Sequence, residues 1–118
     1  MGIRTGLFLA TAISGLLALG TLPALAGDCT GRIVNVQPIN QYNHAAGTGY
    51  LAIRTGPGGR HQQVGELYAG DEVSVYERSG NWYAVTCMSG RCTRPLWGQP
   101  TPSGWAQRSY IRAAGVCP

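Results

Sequence analysis

Residues 63–87 read QVGELYAGDEVSVYERSGNWYAVTC, and their punctuation decides the fold. Gln63-Val64-Gly65-Glu66-Leu67 is a short β-forming run, and Tyr68-Ala69-Gly70-Asp71 turns the chain after it. Glu72 to Glu77 follows as the clearest strand, with alternation placing Val73 and Val75 inward and Ser74 and Tyr76 outward. Ser79-Gly80-Asn81 turns the chain again, and Trp82 to Cys87 is a strand with an aromatic on each face. Turns at this spacing leave no length for an amphipathic helix.

The same rhythm extends both ways. Upstream, Tyr50 to Arg54 alternates with Leu51 and Ile53 on one face, and Thr55 to Gly59 must turn. Before it lie a β-rich run over Arg32 to Val36, ended by Pro38, and a polar, turn-prone loop over 37–49. Downstream, residues 88–103 form a Cys-, Pro- and Gly-rich insertion carrying Trp97, expected as a long hairpin tip. Gly104 to Gln107 is a last short strand and Arg108 to Ile111 a final turn. Five to six short strands at this spacing predict an all-β protein, a small antiparallel barrel with no second domain.

Composition agrees. The 118 residues allow one small domain and exclude a multidomain enzyme. With 18 Gly and 7 Pro against only 12% charged residues, the chain suits short strands and turns. All nine basic residues are arginine, and five acids leave a formal charge of +4. A surplus this small, with no basic run, reads first as a mildly basic solvated surface; a positive face would suit acidic polymers such as cell-wall glycans or anionic lipids, and scattered arginines make nucleic acid a poor partner.

The first 26 residues have the parts of a secretory signal. Arg4 is the lone charge, Leu7 to Leu19 is apolar or small, and Ala24-Leu25-Ala26 is a cleavage site before Gly27. That apolar run is short of the ~20 residues a membrane span needs, so no stable anchor is expected after cleavage. A lipobox is spoiled because Asp28 stands where the cysteine belongs and Cys29 comes one position late. The expected mature domain is residues 27–118, periplasmic or secreted, and loss of Arg4 lowers its charge from +4 to +3.

Cys29, Cys87, Cys92 and Cys117 form an even set for an oxidising compartment, with three possible pairings. Ser89-Gly90 can turn the chain and join Cys87 to Cys92, which leaves Cys29 and Cys117 to staple the ends of the domain. In the chain-entropy picture the terminal bond is worth about 4–5 kcal/mol and the local one ~2 kcal/mol. Zinc held by these cysteines with His44 or His61 lacks a paired CxxC, and a nucleophilic cysteine lacks a base nearby. No metal or cofactor is expected.

Five short motifs, in order, resemble the bacterial SH3-like family, SH3b. They are Leu51-Ala52-Ile53-Arg54-Thr55-Gly56-Pro57, Val64-Gly65-Glu66-Leu67, Gly70-Asp71-Glu72-Val73, Gly80-Asn81-Trp82-Tyr83-Ala84-Val85, and Gly104-Trp105-Ala106 with Tyr110-Ile111. They span residues 50–111. Ala52 stands where the family often has Asn, and the stretch 86–103 is longer than usual. In physical terms the motifs specify a scaffold. Leu51, Ile53, Leu67, Val73, Val75 and Val85 are expected to fill the barrel, Trp105 to pack inside it, and Arg54 to bond loop carbonyls. Gly56 and Gly70 suit turns needing positive φ.

The resemblance implies a non-catalytic module binding peptides along an aromatic-lined groove, many members attaching to peptidoglycan. Trp82 faces away from Val85 by alternation and is the first candidate for stacking on a peptide or sugar; Trp97, Tyr76 and Tyr50 complete the candidate binding set. The alternative is a periplasmic protein-interaction factor, whether inhibitor, immunity protein or accessory subunit, that grips a protein partner through the 88–103 loop. An enzyme is not expected: no nucleophile elbow accompanies a Ser-His-Asp order, and Asp71-Glu72 point to opposite strand faces.

Overall fold

The computed structural model describes residues 28–118, so the export segment expected over residues 1–26 lies outside the described residues. Seven strands form one antiparallel sheet: β1 (Cys29–Ile33), β2 (Leu51–Arg54), β3 (Gln63–Leu67), β4 (Glu72–Ser79), β5 (Trp82–Ser89), β6 (Ser103–Gln107) and β7 (Ile111–Gly115). Their order across the sheet is β3-β2-β6-β5-β4-β1-β7. Three short 3-10 turns, Ile39–Gln41, Arg91–Thr93 and Arg108–Tyr110, are the only helical pieces among the described residues.

Among the described residues no α-helix covers the sheet, and the sheet covers itself. Laid flat, seven strands would hold β3 and β7 about 29 Å apart at the usual spacing. Instead Leu67 of β3, Ile111 of β7 and the valines of β4 and β5 share a single buried cluster. The sheet is therefore curled round one core in the SH3-like manner, its ladder open between β3 and β7.

The β4–β5 hairpin supplies the middle of that core. Ser79 pairs with Trp82 across Gly80-Asn81, and the φ of +59° at Gly80 opens this two-residue turn. Val75 faces Val85 while Glu77 faces Ala84, so Tyr76 is the extra residue of a bulge. Val73, Val75, Val85, Ile53 and Leu67 are fully buried, as alternation predicts.

Four expectations need correction. The described residues hold seven strands, not five or six: after the Arg108–Tyr110 turn the chain continues as β7, pairing with β1 from Ile33↔Ile111 to Cys29↔Gly115. The first strand runs over Cys29–Ile33 rather than 32–36, and Asn35 with its φ of +62° lies beyond its end. Trp105 is only half-buried; its neighbour Ala106 occupies the core. Gly56 does not take positive φ, although Gly70 does, at +85°. A Cβ at Gly56 would lie 2.6 Å from the ring of the exposed His61, so a side chain there requires that ring to move.

Both expected disulfides are present, Cys29–Cys117 and Cys87–Cys92. The first ties β1 to the segment just beyond β7. The second closes the base of the β5–β6 connection, which holds most of the 88–103 insertion.

Candidate binding groove

Trp82 opens β5, and with Tyr83 turned into the core its own ring is left half-buried on the outer side. Across the ladder it faces Gln107 of β6. Tyr50 enters β2, where Leu51 and Ile53 point inward and Ala52 and Arg54 stay half-exposed. The Arg108–Tyr110 turn brings up Tyr110. These residues converge on a cavity of about 440 Å³ lined by Tyr50, Ala52, Arg54, Trp82, Gln107 and Tyr110, with the Gly47–Gly49 backbone as a wall. Arg54 is held in place, because its Nη1 donates to the His61 carbonyl at 2.9 Å. That is the loop-carbonyl bond expected of it. The groove thus has aromatic faces for stacking and fixed polar groups at its rim.

The other predicted aromatics separate. Trp97 does not project freely: it stacks on His44 with ring centroids 4.3 Å apart, and His44 stacks in turn on Tyr50 at 5.6 Å. Trp97 keeps 36% of its surface exposed and borders the groove through His44 without lining it. Tyr76 lies elsewhere. At the bulge, 45% exposed, its hydroxyl is 3.2 Å from Thr86 Oγ1 and 3.1 Å from Ser103 Oγ. Trp82 and Tyr50 share one cavity, Trp97 adjoins it, and Tyr76 does not take part.

Sequence reading missed the cluster that positions this side of the molecule. Glu66 is fully buried on β3. Its Oε2 accepts from the Tyr42 hydroxyl at 3.0 Å and lies 2.6 Å from His44 Nδ1, while its Oε1 accepts from the Tyr68 hydroxyl at 2.6 Å. The Tyr68 oxygen in turn accepts from the Leu96 N–H at 2.8 Å. One carboxyl group therefore fastens both the 37–49 loop and the insertion to the sheet. Burial, reinforced by Glu66, pushes the Tyr42 hydroxyl up to about 12 and the Tyr68 hydroxyl higher still.

Asp71 performs a similar task at the base of the insertion. Its buried carboxyl accepts from the backbone N–H groups of Tyr68 at 2.8 Å, Arg91 at 2.7 Å and Cys92 at 3.1 Å. Burial raises its proton affinity above the usual carboxylate range, and the three N–H bonds pull the other way. With Glu66 and Asp71 inside, the acids left nearer the surface are Asp28, Glu72 and Glu77. Beyond Glu77 the chain carries Arg78, Arg91, Arg94, Arg108 and Arg112 and no acid at all. The outer surface is more basic than the sequence balance suggests.

The described residues thus form a curled, disulfide-tied β-sheet that carries an aromatic-lined groove. The chain belongs to the bacterial SH3 domain family, whose match covers residues 49–112, just over half of its length. Members of that family are generally non-catalytic binding modules, often related to the cell wall. Comparison with curated proteins and with solved structures gives no match.

Proposed function

We infer that residues 1–26 export the chain and that residues 27–118 act as a non-catalytic module recognising cell-wall peptidoglycan through its peptides. The observation carrying this reading is the convergence of Trp82, Tyr50 and Tyr110, with the fixed Arg54, on one open groove. Family membership supports it, as do the basic surface and two disulfides suited to an oxidising compartment. Stacking on Trp82 supplies the affinity, and the rim polar groups orient the peptide.

The second reading, a protein partner gripped through residues 88–103, is favoured by a different observation. The insertion is fastened at Cys87–Cys92, Asp71, Tyr68 and His44, yet leaves Met88 52% and Leu96 44% exposed. Preorganised apolar side chains of this kind suit a protein interface.

Co-sedimentation of the oxidised protein with purified sacculi across a salt series separates the two. Saturable binding that survives moderate salt, reduced about tenfold by Trp82→Ala and little by Trp97→Ala, is the expected outcome. Binding abolished by moderate salt reduces the interaction to charge attraction. Absence of sedimentation transfers the function to a protein partner and the insertion.

A further inference from the structure

A second cavity, of about 590 Å³, also has Trp82 in its lining. Trp82 and Gln107 line both cavities, so the two adjoin at this pair of residues. The rest of its lining is Asn81, Tyr83, Arg108, Ser109, Ile111 and Ala113. We propose that this cavity is a carboxylate-binding subsite, with Arg108 as its cation, that receives an acidic group of a peptide lying across Trp82.

The placement of Arg108 carries the proposal. Its backbone N–H donates to the Asn81 carbonyl at 2.8 Å, which continues the β5–β6 ladder and fixes where the side chain starts. Its guanidinium carbon lies 5.9 Å from the centroid of the Tyr83 ring, at the outer reach of a cation–π contact, and both residues line the cavity. No carboxyl group pairs with it among the described residues, where the ion pairs are Arg32–Glu72 and His44–Glu66. A positioned guanidinium without an internal counter-ion, beside the neutral polar groups of Asn81, Gln107 and Ser109, matches a planar monoanion that accepts two parallel N–H bonds. A phosphate dianion would call for a second cation, and the lining holds Arg108 alone. An extended chain advances roughly 3.3 Å per residue, so one peptide crossing the indole reaches both cavities within a few residues.

The subsite rests on the peptide-binding reading above, but its test does not need sacculi. N-acetyl-dialanine with a free C-terminal carboxylate, its C-terminal amide and inorganic phosphate are each titrated into the oxidised protein. Binding is followed by NMR at the Arg108 Nε–H and the Trp82 indole N–H. The expected result is saturable shifts of both resonances with the free acid, and no saturable Arg108 shift with the amide or with phosphate. Arg108→Gln should weaken the acid about fivefold and leave the amide unchanged, and Arg108→Lys should recover part of the loss. Should Arg108→Gln not fold, the wild-type contrast between acid and amide decides the matter. Equal binding of acid and amide, phosphate binding as tightly as the acid, or no shift with the acid each overturns the subsite. Failure to sediment with sacculi while the acid still shifts Arg108 overturns the wall reading alone.

Discussion

Glu66 is the residue whose role was least visible in advance. In the sequence it is one position of a five-residue strand, and alternation assigns it a face without naming a partner. Its partners Tyr42 and His44 stand 24 and 22 residues away in a loop whose composition says only that it is polar and turn-prone. Long-range hydrogen bonds leave no periodic trace, so the cluster needed coordinates, whereas Trp82 facing outward and Arg54 bonding a loop carbonyl did not. The cluster has a measurable signature. Tyr42 holds its proton to about pH 12 in the folded chain, against an ordinary value of 10.0, because burial and the Glu66 hydrogen bond disfavour the phenolate. Between those values the folded chain keeps a proton that the unfolded chain has lost, so stability falls as pH rises through this window. The contribution is complete below about pH 10 and gone above about pH 12. Titration of tyrosinate absorbance should show late-ionising tyrosines, and Tyr42→Phe should remove the step near 12 while making stability less sensitive to alkali.

At the scale of elements, the strands set by alternating valines and bounded by glycine turns were legible, and those made of small residues were not. β7 offers one buried Ile111 followed by Arg112, Ala113, Ala114 and Gly115, too weak an apolar pattern to announce a strand. It exists because β1 presents a matching edge from Cys29 to Ile33, with Gly31 leaving the space that the Ile111 side chain fills. Trp105 and Ala106 show the converse failure, in which residue size suggested the wrong inward neighbour: Ala106 is fully buried in the cluster that holds Ile53 and Val85, while Trp105 stays half-buried. The 88–103 insertion was legible as an enlargement, but its rigidity was not. Asp71 accounts for much of that rigidity, since it accepts the N–H groups of Arg91 and Cys92 where the 3-10 turn begins. Asp71→Ala leaves three N–H groups without their acceptor and should cost about 3 kcal/mol in chemical denaturation. Amide exchange at Arg91 and Cys92 should quicken ahead of the β4–β5 core. Unchanged protection of those two amides would mean that the disulfide alone holds the turn.

For the molecule as a whole, the decisive contacts join its two ends. The family match stops at residues 49 and 112, so β1, the last three residues of β7 and the Cys29–Cys117 bond lie outside the stretch it covers. They are not peripheral in energy. Cys29 and Ile33 are fully buried in the same cluster as Val73 and Val75, and the antiparallel β1–β4 ladder runs from Cys29↔Val75 to Arg32↔Glu72. Pairing β1 with strands that follow it by some forty and eighty residues carries a large loop-closure cost, which the unfolded chain avoids unless its ends are tied. The Cys29–Cys117 bond spans 88 positions and should therefore contribute about 4–5 kcal/mol, against ~2 kcal/mol for Cys87–Cys92 with its separation of 5. Replacing both members of each pair by alanine tests this in urea or heat. Loss of the terminal pair should lower stability at least twice as much and free β1 and β7 first, as read by amide exchange. Loss of the local pair should leave both strands protected and loosen only the insertion. A larger cost for the local pair would place the main constraint on the unfolded chain at the base of the insertion, with β1 held by its ladders alone.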